Sequence, residues 1–270
     1  MSAISEIFTE LNGRNEAALI AYITVGDPSL KQTPRFASAL IEGGADIIEL
    51  GIPFSDPIAD GPTIQAAVNR SLRGGVRPLD ALKVARAIKE KHDTPLVLMT
   101  YYNPIFRVGL EKFLRRAREA GVSGIIVPDL PVEESYPYKS ASLKASLDTI
   151  FLASPSTDTQ RLQVIISQTS GYLYLISLYG VTGVRHELPS ASLDMVKKYI
   201  GIIQGKIPLA VGFGISEPRH VRSVVAAGAN GVIVGSAFVK TVGDNLRDVS
   251  KTSTRLGHLA RNLKKATCRP

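Results

Sequence analysis

Short apolar runs alternate with amphipathic stretches from one end of the chain to the other. Ile4, Ile7, Phe8 and Leu11 recur at i, i+3, i+4 and i+7, which predicts a short helix ending at Asn12-Gly13. Residues 17–24 then form an apolar run suited to a buried strand. Gly26-Asp27-Pro28 breaks it, and a helix using Phe36, Ala39 and Leu40 follows, stopped by Gly43-Gly44. The same grammar repeats. Strands are predicted at 46–50, 95–101, 124–128, 149–153, 172–177, 208–212 and 231–234. Two helices, about 62–74 and 79–91, separate the second strand from the third, split by Gly74-Gly75 and Pro78. Further helices use Leu110, Phe113, Leu114 and Ala117; Leu162, Ile165 and Ile166; Leu193, Val196, Ile200 and Ile203; and Val221, Val224 and Val225.

Eight such strands alternating with helices imply βα units around a parallel sheet buried on both faces, closed into an α/β barrel over a single domain, residues 1–270. The N-terminal helix would plug one end. Ala120-Gly-Val-Ser-Gly-Ile-Ile-Val127 and Ala227-Gly-Ala-Asn-Gly-Val-Ile-Val234 echo each other as helix stop, turn and strand, each with a glycine able to take the left-handed conformation. An open doubly wound sheet is the competing architecture. It lacks support, because no Gly-x-Gly-x-x-Gly follows the first strand.

Composition narrows the class. With 270 residues, 44% hydrophobic and 21% charged, the chain has enough apolar material for one large core. It carries no signal-like segment and no apolar run near the ~18 residues of a membrane span, so a cytoplasmic protein is expected. The single Cys268 excludes an intramolecular disulfide, and four scattered His offer no metal cluster. The net charge of +8 is concentrated: residues 247–270 hold seven Lys/Arg against one Asp, or +6. Val249, Leu256, Leu259, Ala260 and Leu263 show helical spacing there, so the charge reads as the outer face of a closing amphipathic helix. RNA or membrane binding is the alternative.

The chemistry is concentrated in Asp46-Ile-Ile-Glu-Leu-Gly-Ile-Pro-Phe-Ser-Asp-Pro-Ile-Ala-Asp-Gly-Pro-Thr63. An apolar strand carries Glu49 and then dissolves into Gly, Pro and Asp, and Asp60 stands just before a new helix. In a barrel of this kind function collects where strands end, so Glu49 and Asp60 are the candidate acids and bases. Asp60 could instead cap its helix, and Glu49 could be a paired core carboxylate, although its run offers no cation. Gly212-Phe-Gly-Ile-Ser216 after the seventh strand and Gly235-Ser236 after the eighth suit an anion, because glycines let backbone N–H groups approach a phosphate. Gly180-Val-Thr-Gly183 could close a third side, and Tyr174 could line the pocket. These features together point to a small phosphorylated substrate handled by carboxylates.

Several of these motifs resemble one family closely, the tryptophan synthase α subunits. They are Ile23-Thr-Val-Gly-Asp-Pro28, Glu49-Leu-Gly-Ile-Pro-Phe-Ser-Asp-Pro57 with Asp60-Gly-Pro62, Tyr101-Tyr-Asn-Pro104, Asp129-Leu-Pro131, Gly180-Val-Thr-Gly183 and Gly212-Phe-Gly-Ile-Ser216. The resemblance covers essentially the whole chain. It implies a TIM (β/α)8 barrel with an N-terminal helix and extra helices in the βα units. The implied activity is that of a lyase cleaving indole-3-glycerol phosphate to indole and glyceraldehyde 3-phosphate, with no metal or cofactor in this chain. It further implies catalysis by Glu49, Asp60 and Tyr174, and an indole flanked by Tyr22 and Phe213. The phosphate would be held by amides around Gly183, Gly212, Gly214, Gly235 and Ser236. The partner would be a β subunit bearing pyridoxal phosphate in an α2β2 complex, with Pro53, Asp56, Asn103 and Phe106 at the interface. Two positions depart from the family pattern: Tyr22 stands where phenylalanine is expected, and Leu178-Tyr179 precede Gly180 where smaller or charged residues are usual. Another phosphosugar barrel and a regulatory subunit of weak activity are the competing readings. A Schiff-base aldolase is disfavoured, because no predicted strand core carries a lysine.

Overall fold

The computed structural model describes residues 1–176, 188–212 and 214–269. It opens with α1 (Ala3–Gly13), β1 (Ala18–Thr24), α2 (Thr33–Glu42), β2 (Ile47–Gly51), α3 (Pro62–Arg73), α4 (Asp80–Lys89) and β3 (Leu96–Met99). Next come α5 (Tyr102–Val108), α6 (Leu110–Glu119), β4 (Val122–Ile126), α7 (Tyr136–Lys144), β5 (Asp148–Ile150), β6 (Leu152–Ala153), α8 (Thr159–Gln168) and β7 (Leu173–Ile176). The chain finishes with α9 (Ser190–Ile203), β8 (Leu209–Gly212), α10 (Pro218–Ala226), β9 (Gly231–Val234), α11 (Ser236–Gly243) and α12 (Val249–Lys264).

All strand pairings are parallel, and the order is β5-β4-β3-β2-β1-β9-β8-β7-β6. The two ends of this ladder are consecutive in the chain. Only Phe151 separates β5 from β6, and its carbonyl accepts a hydrogen bond from the Tyr174 N–H at 3.0 Å. The strand expected at 149–153 is therefore one barrel stave broken in the middle. Counted as one, it gives the eight staves of a (β/α)8 barrel, the architecture expected from the repeating pattern.

Side-chain alternation divides each strand between two cores. Ile20, Ile47, Val97, Ile126, Ile150, Ala210 and Ile233 point into the barrel, where Ile4, Phe8 and Leu11 of α1 join them. Ile4 lies against Gly171 and Phe8 against Gly231, at the starts of β7 and β9, so α1 closes the N-terminal end. Leu19, Ala21, Ile48, Leu50, Leu96, Leu98, Leu173 and Val211 point outward into the helix layer, beside Phe36, Leu40, Phe113, Leu114 and Leu256. Burial on both faces explains why the strands read as unbroken apolar runs. The helix-stopping glycines take the predicted left-handed backbone, with φ +100° at Gly44, +84° at Gly121 and +105° at Gly228.

Two helices escaped the pattern. In α7 the buried side chains are Tyr138, Ala141 and Ser142 while Leu143 is exposed, so its apolar residues form no stripe. The short α5 contains Pro104 and is capped from the turn after β4, the Asp129 carboxylate accepting from the Tyr102 N–H at 2.9 and 3.2 Å. At the other end of the chain, α12 buries Leu256, Ala260 and Leu263 and exposes Lys251, Arg255 and Arg261, as its spacing predicts. Lys264 turns inward to Asp46 and Glu16, each at 2.9 Å, and Asp46 also accepts the Leu19 N–H at 2.7 Å. One of the clustered cations therefore ties down the start of β2. Cys268 is free and exposed. Among the described residues no helix is long and apolar enough to cross a membrane, and no group of three or more His, Cys, Asp or Glu is placed to hold a metal ion.

Candidate active site

Glu49 owes its position to the two-residue period of β2. Ile47 faces the barrel interior, so Glu49 does too, opposite Tyr22 of β1 and Val97 of β3 in the ladder. Its side chain is 0% exposed. The Tyr172 hydroxyl donates to Glu49 Oε1 at 2.5 Å, while Glu49 Oε2 is buried with no hydrogen-bond partner among the described residues. Burial raises its pKa to about 7, and the Tyr172 hydrogen bond opposes that rise. Among the described residues no salt bridge reaches Glu49, so the paired core carboxylate that the sequence left open is not what forms. An acid near pKa 7 with one free oxygen can both give and take a proton near neutral pH.

Asp60 reaches the same end of the barrel on the loop between β2 and α3. It does not cap the helix: Gly61 is the N-cap, without a side-chain hydrogen bond, and Pro62 begins the first turn. Instead it lies beside Tyr101, whose hydroxyl accepts the Ala59 N–H at 2.9 Å. Partial burial lifts the Asp60 pKa to about 6, with the neighbouring Tyr101 hydroxyl acting in the opposite direction. Phe54 stacks at 5.2 Å from the Tyr101 ring.

Two more tyrosines complete this end. The Tyr22 hydroxyl lies over Gly51, 3.5 Å from the Thr24 hydroxyl, and a Cβ on Gly51 would overlap it. Tyr174 packs across Gly212, where a Cβ would meet its ring at 2.8 Å. Both phenols are pushed well above their usual pKa, first by burial and then by the negative charge of Glu49 and Asp60. The four groups thus share one polar cluster in an otherwise apolar barrel. Beside it, β8 and β9 are paired, so the turns that follow them are neighbours. Gly212 ends β8; Gly214 has φ +68° with open space beside its Cα; Gly235 and Ser236 begin α11, whose first amides lack carbonyl partners within the helix. Gly183, Phe213 and the Leu178-Tyr179 pair lie outside the described residues.

A family profile described as tryptophan synthase alpha chain matches residues 8–268. The chain belongs to the tryptophan synthase alpha chain family. It is 48% identical to the tryptophan synthase alpha chain of Methanopyrus kandleri over 96% of this chain and 93% of that one. Identity is 49% with the Methanosarcina barkeri protein, over 97% and 95%. Among solved structures, tryptophan synthase of Mycobacterium tuberculosis superposes with a TM-score of 0.90 at 36% identity, covering 100% of this chain and 99% of that one. A chain of the Pyrococcus furiosus tryptophan synthase complex gives 0.84 at 42% identity, covering 92% and 98%. The barrel is therefore the tryptophan synthase alpha fold.

Of the residues expected at a partner surface of such an alpha chain, Asp56, Asn103 and Phe106 are exposed, Phe106 by 68%, and Ile58 between them in sequence is exposed by 82%. Pro53 is buried instead, at the root of the loop. Two residues close to the carboxylates carried no role in the sequence reading, Tyr101 and Tyr172. Tyr172 had a usable signal, since it lies two residues before Tyr174 and so shares its inward face. Tyr101 had none beyond its motif, because its contact with Ala59 spans 42 residues.

Proposed function

We propose that Glu49 and Asp60 divide the acid–base work of the tryptophan synthase α reaction. The chain is a lyase of tryptophan biosynthesis and cleaves indole-3-glycerol phosphate to indole and glyceraldehyde 3-phosphate. In this retro-aldol cleavage a proton adds to indole C3, leaving positive charge on the ring. The glycerol hydroxyl next to the scissile bond then loses its proton as its carbon becomes the aldehyde. The electrons of the broken carbon–carbon bond return to the ring, so one proton enters and one leaves. Glu49 suits both transfers, because its free Oε2 is carried on a rigid strand and its pKa is about 7. Asp60 accepts a hydrogen bond from the indole N–H, which strengthens as positive charge develops on the ring. Tyr22 and Tyr174 wall the indole, with Phe213 as a further ring. The amides at Gly212, Gly214, Gly235 and Ser236, with Gly183, receive the phosphate.

One observation carries the assignment: a fully buried carboxylate with one oxygen held by Tyr172 and the other free. An indole-release assay on indole-3-glycerol phosphate tests the reaction, with indole expected in step with substrate loss; substrate consumed without indole would sink it.

A β subunit is the expected partner, since the Pyrococcus furiosus relative comes from a tryptophan synthase complex. The exposed Ile58 and Phe106, on the Asp60 loop and on α5, offer it an apolar surface. We read the assembly as a cytoplasmic α2β2 complex in which pyridoxal phosphate belongs to the β subunit. Docking that orders the loop would raise turnover. Equal rates of indole release with and without the β subunit would remove this part of the reading.

A further inference from the structure

The Asp60 carboxylate is carried on an exposed loop yet is placed beside a rigid barrel, and something must hold it there. Ser55, Asp56, Ile58 and Ala59 are exposed. The loop's own backbone bonds, Ile58 N–H to the Asp56 carbonyl at 2.9 Å and Asp60 N–H to the Pro57 carbonyl at 3.3 Å, stay within it. Among the described residues, the hydrogen bond at 2.9 Å from the Ala59 N–H to the Tyr101 hydroxyl joins this segment to the end of the neighbouring stave β3.

Tyr101 is itself well anchored. Its side chain is buried, and both neighbours are tied to β4 and the turn after it: the Thr100 N–H donates to the Ile126 carbonyl at 3.0 Å, and the Tyr102 N–H to the Asp129 carboxylate at 2.9 Å. The Phe54 ring lies against it. A phenol has one proton and one accepting direction free for use here. With the Ala59 N–H in the accepting position, the phenol proton is free to turn toward the neighbouring Asp60, whose pKa the hydroxyl lowers.

We infer that Tyr101 is a positioning residue for the reaction, fixing the Asp60 loop to the barrel wall through its hydroxyl and orienting the carboxylate toward the substrate. This rests on the role given to Asp60 above. The hydroxyl favours the ionised carboxylate, so its loss should also move the pH at which Asp60 takes up a proton, upward from about 6.

Tyr101→Phe keeps the ring against Phe54 and removes only the oxygen. The expected result is a fall in kcat/KM of about tenfold, the size of one hydrogen bond to a charged group. The acid limb of the pH profile should move to higher pH with little change in melting temperature. Phe54→Leu, which leaves the hydroxyl in place, should leave that limb where it is. Amide exchange on the parent protein gives a reading independent of activity: Ala59 should exchange more slowly than Ser55, and Tyr101→Phe should erase the difference. An Ala59 amide as fast as Ser55 in the parent overturns the inference, as does a Tyr101→Phe enzyme with parental kcat/KM and acid limb. Asp60→Asn, assayed alongside, separates the two levels. If it is inactive while Tyr101→Phe is parental, only the role of Tyr101 falls; if it is fully active, the role of Asp60 falls and Tyr101 with it.

Discussion

Glu49 and Asp60 carry the same functional group at the same end of the barrel, but one is built into a wall and the other is attached to it. Glu49 sits on a strand paired on both sides, completely buried, with a tyrosine on one oxygen. Asp60 ends a loop of exposed residues and is half-buried, with Tyr101 behind it. Proton transfer to carbon tolerates little displacement, which suits the wall. Steadying the charge of a substrate ring from the mouth of the barrel suits a group on a loop tied to that wall. Burial also sets the two groups apart electrostatically, raising Glu49 to about 7 and Asp60 to about 6. At pH 7 the first is poised and the second is mostly ionised.

Substitutions can sharpen or break this contrast. Asp60→Asn should lower kcat/KM by about 100-fold or more, as expected for a lost electrostatic partner of a developing charge, measured by indole release. A loss appearing only in KM would place Asp60 in ground-state binding instead.

The next effect is on stability. A carboxyl whose pKa is raised on folding weakens the fold as pH climbs from its unfolded value of 4.5 through its folded value of about 7, and the penalty is full above that. For Glu49 this amounts to about 3 kcal/mol. Glu49→Gln should therefore be more stable than the parent at pH 8 and lose that advantage by about pH 4. Asp60→Asn should show a much smaller gain, because its group is half-exposed and screened. Thermal unfolding at the two pH values reads both; equal gains would erase the distinction between wall and loop.

How much of this was legible in the chain follows the same division. An acid in an apolar strand is visible because period two fixes its face and the surrounding residues fix its burial, so Glu49 stood out with Ile47, Ile48 and Leu50 around it. Asp60 was visible as a carboxylate but ambiguous in role, since Asp before Gly-Pro is also a good cap; only the structure shows Gly61 taking that position. The tyrosines behind the carboxylates were legible at most as an inward-facing position, for Tyr172 beside Tyr174, and not as partners of the acids. A tyrosine in an apolar strand reads as core, and Tyr172 meets Glu49 across 123 residues, a contact that exists only once the barrel has closed. The break at Phe151 was hidden for the same reason, since local pattern cannot tell one stave from two halves of a stave.

A smaller effect tests the wall itself. Gly51→Ala should destabilise the protein by about 1–3 kcal/mol, because the new methyl group overlaps the Tyr22 hydroxyl. Tyr22→Ala, which removes the hydroxyl together with the ring atoms the methyl would meet at 2.5 and 2.6 Å, should make the double variant less destabilised than the sum of the two single ones; strict additivity in thermal unfolding would show that the two do not touch. Smallest of all, Tyr172→Phe should leave the fold intact and raise the pKa of Glu49 above about 7, since the hydrogen bond it removes favours the charged form. The corresponding limb of the pH–rate profile should move upward, and an unmoved limb would mean that Tyr172 does not tune the acid.

The central claim is that Glu49 moves the proton while the rest of the site binds. Measuring kcat for indole release and, separately, equilibrium binding of indole-3-glycerol phosphate to Glu49→Gln tests it most directly. The account predicts that kcat drops by about 100- to 10,000-fold, the range for a removed general acid–base group, while substrate affinity stays within a few-fold of the parent. A Glu49→Gln enzyme that turns over at near-parental kcat would contradict it.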